Sequence, residues 1–235
     1  SGSDATAWVS RTGDNSPAVT NVSLVPGDTV DVQVAAKGGG SENKSKFVTL
    51  NPSDSIVDWV LETVPAMGAG WCPPGMLGIG IGGTAEKAML LAKESLMQPI
   101  DMFDLKQRGP KSKLEELRIE LFEKVNALGI GAQGLGGLTT VLDVKIALYP
   151  THAAGKPVAM IPNCAATRHV HFVLDGSGPA YVEPPSLDLW PDVQWQPDYN
   201  KSARVNLDTL TRSEVAAWNP GQTLRRLKVS TAHSV

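Results

Sequence analysis

WCPPGMLGIGIGGTAEKAMLLAKESL, residues 71–96, decides the fold of this chain. It opens on Trp71-Cys72-Pro73-Pro74-Gly75, which predicts a rigid turn. Apolar residues then alternate with glycine over MLGIGIGG, a pattern that predicts a strand whose glycine face lies close to another backbone. Thr84 next predicts the N-cap of a helix that continues through Leu96. A strand followed directly by a helix is therefore the centre of the structure.

Upstream of this unit, the sequence predicts a hairpin and one helix. Apolar residues recur mostly at alternate positions from Val19 to Val34, around the turn Pro26-Gly27-Asp28, which indicates two paired strands. After Asn51-Pro52, Ser53 or Asp54 can cap a helix whose apolar face runs to Val64.

Downstream, one long helix and three strands are predicted. Ser112 and Glu115 have the spacing of a capping box, and the leucines that follow recur at helical spacing. The segments TTVLDVKIALY, PVAMIP and HVHFVL have the composition of strands. Helices and strands thus alternate along the chain, which favours an α/β or mixed α+β fold of layered sheet and helices.

Composition limits the classes of function. The chain has 235 residues, is 42% hydrophobic and carries a net charge of -3, so it has no basic excess for nucleic acid or for an anionic membrane surface. Its longest apolar stretches are shorter than the roughly 20 residues of a membrane-spanning helix, and no secretory leader opens the sequence. We therefore expect a cytoplasmic protein without nucleic-acid or membrane partners.

Cys72 and Cys164 are the two cysteines of the chain. Two cysteines are too few for a disulfide scaffold, so the alternatives are inert buried thiols, a catalytic thiol or metal ligands. On cysteine count alone, buried and inert thiols are the simplest interpretation.

Glycine is concentrated in two further segments. GIGAQGLGG covers residues 129–137, and KGGGS covers residues 37–41 with Lys44 close behind. Such segments let backbone N–H groups converge on an anion or an inorganic cluster. A flexible loop has the same composition, so both interpretations stay open.

Two other motifs are weaker. Residues 78–83 and 129–134 each match GxGxxG, but the first lies within the predicted strand and the second leads from a helix into a strand, unlike a dinucleotide-binding turn. His169 and His171 would share one face of a strand and could bind a divalent metal. A zinc site is not favoured, because neither cysteine belongs to a CxxC pair.

Four segments together resemble the class I fumarases and the related tartrate dehydratase alpha subunits, a family of iron–sulfur hydro-lyases. In chain order they are KGGGSENKS, then WCPPGMLGIGIGGTAEKAMLLAKESL, then NALGIGAQGLGGLTTVLDVKI, then THAAGKPVAMIPNCAATRH. The resemblance implies that residues 1–178 form the N-terminal catalytic domain, incomplete at its start. Residues 179–201 are then an interdomain linker, and residues 202–235 begin a truncated C-terminal domain.

The resemblance also implies a cofactor and a set of site residues. Family members hold a [4Fe–4S] cluster on three cysteines, and Cys72 and Cys164 match two of them, while the third is expected upstream of Ser1. His152 and Gly40 match substrate-contacting positions of the family. The catalytic residues themselves are not identified, because the corresponding family motifs lie outside this chain.

The implied reaction is the reversible hydration of fumarate to L-malate, with a small dicarboxylate as substrate. A tartrate dehydratase alpha-type subunit is the first alternative, and a nucleotide-binding oxidoreductase that uses residues 78–83 is the second. We expect a homodimer for the full-length enzyme and little turnover by this chain alone.

Overall fold

The computed structural model describes residues 19–177. The predicted linker, residues 179–201, and the predicted second domain, residues 202–235, lie outside the described residues. The described part forms two compact units, residues 35–169 and residues 19–34 together with 170–177.

Six strands and five α-helices are interspersed along this part of the chain, which confirms the predicted α/β class. The strands are β1 (Val30–Ala36), β2 (Lys46–Leu50), β3 (Gly75–Gly82), β4 (Val141–Tyr149), β5 (Lys156–Cys164) and β6 (Arg168–Leu174). The helices are α1 (Gly39–Glu42), α2 (Ile56–Ala66), α3 (Ala85–Ser95), α4 (Met102–Arg108) and α5 (Lys113–Ala127). Short 3₁₀ turns lie at Gly68–Trp71 and Ala132–Gly134.

A four-stranded sheet organises the larger unit. Its strand order is β2-β5-β3-β4. β3 runs parallel to β4 and antiparallel to β5, and β2 runs antiparallel to β5. One core cluster joins this sheet to residues of α2 and α5, and a second joins it to α3. Helices thus cover the central strands, as their continuous apolar sequence requires.

The glycines of β3 explain how α3 packs. A Cβ atom on Gly80 would lie 2.0 Å from the carbonyl oxygen of Ala88, and one on Gly78 would lie 2.3 Å from that of Ala92. Only glycine lets the helix backbone approach the strand this closely. The predicted strand and its close backbone neighbour are confirmed. Because both glycines serve helix packing inside a strand, residues 78–83 do not form the phosphate-binding turn of a nucleotide site.

The predicted helix starts agree closely with the structure. Ser112 is the N-cap of α5, and its Oγ accepts a hydrogen bond of 3.2 Å from the Glu115 backbone N–H. The Glu115 carboxylate completes no reciprocal capping box, because it pairs with Arg108 and the Lys111 N–H instead. For α2, the cap is Ser55, one residue after the predicted Asp54.

The predicted N-terminal hairpin is wrong. Residues 19–29 form no strand, although the chain bends at Pro26–Asp28, and β1 pairs with the distant β6. In the smaller unit, His171 Nε2 lies 2.8 Å from Asp31 Oδ1 across this two-stranded ribbon. Alternation identified the β1 strand, but local sequence does not identify a partner more than a hundred residues away.

A buried charged network fastens edge strand β4 to α5 and to the start of α4. Arg118 contacts Asp101 at 2.5 Å and Asp143 at 3.1 Å, and Lys145 pairs with the same two carboxylates. Asp143 is fully buried and Lys145 is 1% exposed. Burial alone would raise the pKa of Asp101, but the hydrogen bonds from Arg118 and Lys145 outweigh it and hold this pKa at about 2.

Candidate functional site at the cysteine end of the sheet

Cys72 and Cys164 lie at the same end of the four-stranded sheet. Cys164 is the last residue of β5, and its register partner is Gly75, the first residue of β3. Because Gly75 follows Cys72 by three residues, chain reach keeps the two cysteine α-carbons within about 15 Å of each other. We call this end of the sheet, where β3 begins and β5 ends, the cysteine end.

Neither thiol is buried in the core, in contrast to the interpretation that cysteine count alone favoured. Cys72 is exposed and Cys164 is intermediate in exposure, and both are free of disulfide bonds. Thiols that are at least partly exposed at one end of the sheet are accessible as ligands or nucleophiles.

Three glycine segments converge beside these cysteines: residues 38–40, 68–70 and 129–137. A Cβ on Gly40 would lie 2.7 Å from the Gly70 carbonyl oxygen, so the first segment rests directly on the second. A Cβ on Gly134 would lie 2.7 Å from the Ala69 Cβ, which brings in the third segment. The convergence favours a built site over the alternative of unrelated flexible loops.

Backbone strain is concentrated at the same place. Within residues 19–177, Cys72 and Gln133 are the two non-glycine residues with positive φ, at 58° and 54°. They lie next to each other in space, because the Gln133 N–H donates a 2.7 Å hydrogen bond to the Pro73 carbonyl oxygen. Left-handed conformations of side-chain-bearing residues are costly and accumulate at functional sites. Gln133 could not be identified from the sequence, since no pattern reveals this conformation outside glycine.

Trp71, immediately before Cys72, carries an unpaired polar atom. Its side chain is fully buried, and Nε1 is the one buried side-chain nitrogen or oxygen in residues 19–177 that has no hydrogen-bond partner. An unsatisfied buried donor costs about 1–3 kcal/mol and requires an explanation. Among the described residues, Trp71 is thus a buried, unpaired donor that directly precedes Cys72 in the chain.

Charged residues beside the first glycine segment are predominantly basic. Glu42 Oε2 forms ion pairs with the Lys37 ammonium at 2.9 Å and with the Lys93 ammonium at 2.5 Å. A single carboxylate therefore neutralises only part of the charge of two lysines. Burial lowers the pKa of Lys37 below its ordinary value, and the pairing with Glu42 only partly offsets this. An electropositive site suits an anionic ligand.

His152 lies elsewhere. It is exposed in the loop between β4 and β5, where it lines an open depression of about 530 Å³ together with Gly83, Lys87 and Tyr149. This histidine end, where β3 and β4 finish and β5 begins, is separated from the cysteine end by the length of β3, more than about 20 Å. One copy of the chain therefore brings Cys72, Cys164 and Gly40 together but not His152.

No group of three or more histidine, cysteine, aspartate or glutamate side chains is placed to hold a metal ion within residues 19–177. The pair His169 and His171 belongs to no such group, and His171 already contacts Asp31. The cysteine end thus contributes two thiols and glycine backbones. This donor set fits part of a thiolate-held cluster and does not suit a zinc site.

The protein is an α/β protein whose cysteine end combines strained backbone, glycine segments and two free cysteines. The chain belongs to the fumarate hydratase (Fumerase) family, which it matches over residues 4–173. This finding confirms the family that the sequence motifs resemble.

Individual relatives are similar over the same region. A putative L(+)-tartrate dehydratase subunit alpha from Methanocaldococcus jannaschii is 44% identical over 142 residues, which cover 59% of this chain and 48% of the relative. The L(+)-tartrate dehydratase subunit alpha of Escherichia coli strain UTI89 is 33% identical over 161 residues, 67% of this chain and 52% of the relative. The chain thus spans about half the length of these relatives. In the described residues, no helix is both long enough and apolar enough to cross a membrane.

Proposed function

We propose that this chain is the cluster-binding part of an iron–sulfur hydro-lyase that reversibly hydrates fumarate to L-malate. The observation that carries the proposal is the meeting of Cys72 and Cys164 at one end of the sheet, among three glycine segments. Family membership supports the same class of reaction. The substrate is then a small dicarboxylate, which the basic residues beside Gly40 suit.

Cys72 and Cys164 would hold a [4Fe–4S] cluster, with the third thiolate supplied from outside this chain. When bound, such a cluster supplies a Lewis-acidic iron that polarises the hydroxyl group to be expelled. The chain's own contribution is positional. Cys72 ends the 3₁₀ turn before β3 with a left-handed backbone, and Gly40 lets the first glycine segment pack directly on the Gly70 carbonyl two residues before it.

Tartrate is the second candidate substrate. The relatives described above are named as tartrate dehydratase alpha subunits, and this name favours dehydration of L(+)-tartrate by a protein that also needs another subunit. Fumarate and L(+)-tartrate both have four carbons and two carboxylates, so the cysteine end suits both. Cytoplasmic location and a role in central carbon metabolism are parts of the fumarate proposal.

Homodimerisation would reconcile the proposed roles of His152 and the cysteines. A four-carbon dicarboxylate is far shorter than the distance of more than about 20 Å along β3 between the two ends. If His152 contacts the substrate, it must do so in the site of a second copy. The homodimer proposed for the full-length enzyme would supply that copy.

Anaerobic reconstitution with iron and sulfide tests the cluster assignment. With a thiol reagent in the buffer to supply the third ligand, we expect the parent chain to retain both elements with visible charge-transfer absorbance, and Cys72→Ser and Cys164→Ser to lose most of them. Ala165→Ser is a matched control, because it adds a hydroxyl beside Cys164 without removing a thiol. If both cysteine variants hold as much iron as the control, the assignment is wrong.

Substrate choice is tested separately. The reconstituted chain is mixed with a complementary C-terminal domain of a family member, and fumarate hydration and L(+)-tartrate dehydration are measured in parallel. Turnover of fumarate with little turnover of tartrate supports the first proposal, and the reverse supports the second. Binding of NAD by a chain that takes up no iron would instead revive the oxidoreductase alternative.

A further inference from the structure

Lys44 lies directly over the backbone of the cysteine end. It follows α1, and its Cε is 2.9 Å from the position that a Cβ on Gly70 would occupy, with Nζ 3.6 Å from the same point. Gly70 precedes Cys72 by two residues, and its carbonyl oxygen is the atom against which Gly40 rests. The ammonium group is thus held beside the contact between two of the glycine segments.

Lys44 differs from the other lysines of similar burial. Six lysines in residues 19–177 are not fully exposed: Lys37, Lys44, Lys87, Lys93, Lys145 and Lys156. Five of them have an anionic, polar or aromatic partner: Lys37 and Lys93 on Glu42, Lys145 on Asp101 and Asp143, Lys156 on backbone carbonyls, and Lys87 over the Tyr149 ring. Among the described residues, no such partner contacts the Lys44 ammonium.

Among the described residues, the carboxylate nearest to Lys44 in the chain, that of Glu42, is already paired. Glu42, the acidic residue of α1, is shared between Lys37 and Lys93. The region beside the first glycine segment therefore contains three ammonium groups, those of Lys37, Lys44 and Lys93, and one carboxylate, that of Glu42. A partly desolvated ammonium gains more from an anion than a fully hydrated one does, because the local dielectric is lower.

We infer that Lys44 binds, at the cysteine end, the carboxylate of the dicarboxylate that is remote from the hydroxyl-bearing carbon. The inference rests on the function proposed above and assigns a substrate-binding residue to that site. A dicarboxylate carries two anionic ends. Only a site that binds both ends distinguishes it from a monocarboxylate of the same length. Lys44 supplies the charge for one end, with its stem steadied by packing on Gly70 and its head able to form three hydrogen bonds.

The test measures ligand affinity and needs no turnover. Chains reconstituted anaerobically with iron and sulfide are titrated calorimetrically with L-malate, and with L-lactate, which keeps the hydroxyl and one carboxylate. Lys44→Met is compared with the parent and with Lys46→Met, which removes an exposed lysine two residues further on. Lys44→Arg restores the charge, and thermal unfolding of each variant checks that it is folded.

We expect Lys44→Met to weaken L-malate binding about tenfold or more and to leave L-lactate binding within about twofold, since a tenfold change corresponds to loss of one charge-assisted contact. Lys46→Met should match the parent, and Lys44→Arg should recover most of the malate affinity. Unchanged malate affinity in Lys44→Met, or equal losses for malate and lactate, overturns the inference while the cluster proposal stands. Failure of the parent to bind iron, or to bind malate when iron is present, overturns the inference together with the proposed function.

Discussion

The two ends of β5, which lie at opposite ends of the four-stranded sheet, differ in how tightly they are packed. At the cysteine end, backbones touch: Gly75 lies so close to β5 that a Cβ would sit 2.2 Å from the Asn163 carbonyl oxygen. At the histidine end, the end of β3 is packed as tightly, since a Cβ on Gly82 would lie 1.8 Å from the Tyr149 carbonyl oxygen. The start of β5 is not: a Cβ on Gly155 would have a Thr49 methyl group as its nearest neighbour, at 3.3 Å, and the depression beside His152 is open. Close packing at Gly75 holds the start of β3 against the end of β5 beside Cys164, whereas the start of β5 has room for an added methyl group. The two ends should therefore respond differently to substitution.

The largest difference is expected between two glycine substitutions. Gly75→Ala forces a methyl group into the Asn163 carbonyl and the Trp71 ring, and should lower the free energy of unfolding by about 3–4 kcal/mol, at the upper end of overpacking effects. Gly155→Ala should change it by less than about 1 kcal/mol, because the facing methyl group can move. Urea denaturation of both variants measures the two values. Equal losses would remove the contrast between the ends.

A smaller loss is expected from the charged network beside the start of β3. Lys145→Met removes one partner of fully buried Asp143, whose register partner in β3 is Met76. Because Arg118 still pairs with Asp143, we expect a loss of about 2–3 kcal/mol, below that of an entirely uncompensated buried charge. Lys113→Met, at an exposed position of α5, is the control for urea denaturation. A Lys145→Met chain as stable as this control would show that the network contributes nothing.

Acid should loosen the same network. The pKa of Asp101 is lowered in the folded chain to about 2 from an ordinary value of 3.8. Its stabilising contribution is therefore complete above about pH 4 and is lost as the pH falls towards 2, and we expect about 1–2 kcal/mol after allowance for solvent screening. Urea midpoints measured from pH 5 to pH 2 should fall less in Asp101→Asn than in the parent. Parallel curves for the two proteins would contradict this assignment.

The smallest effect on stability is expected at the histidine end. His152 is exposed, and its Nδ1 accepts one hydrogen bond of 3.1 Å from the Ala154 N–H. His152→Ala should change the free energy of unfolding by less than about 0.5 kcal/mol. In an active full-length enzyme, the same variant should lower dicarboxylate turnover. A destabilised chain with normal turnover would show that His152 is structural.

Local patterns predicted the elements well where a physical constraint lies within a few residues. The alternate glycines of β3 predicted its close contact with another backbone, which is that of α3, and Ser112 predicted the start of α5. The short helix α4 was missed, because Asp101, Arg118 and Lys145 fasten its start from distant parts of the chain. The hairpin prediction failed for a similar reason, since β1 takes β6 as its partner.

The candidate site divides in the same way. Cys72, Cys164, Gly40 and His152 were all identified by motif, but their grouping depends on strand order and direction. Antiparallel pairing of β3 with β5 brings Cys164 to the start of β3, and parallel pairing of β3 with β4 carries His152 to the other end. Trp71 and Gln133 could not be identified in advance, because an unpaired N–H and a left-handed backbone are properties of the folded chain.

The sequence by itself determined the fold class, the strand–helix unit at residues 71–96, the two thiols and the family. Each of these depends on residue type, periodicity or ordered motifs, which are local properties. Tertiary structure alone decided that the cysteines meet among three glycine segments, that Lys44 lies over them without a partner in the described part of the chain, and that His152 is excluded from their end. The physical reason is that hydrogen bonds between strands, which set order and direction, join residues far apart in the chain.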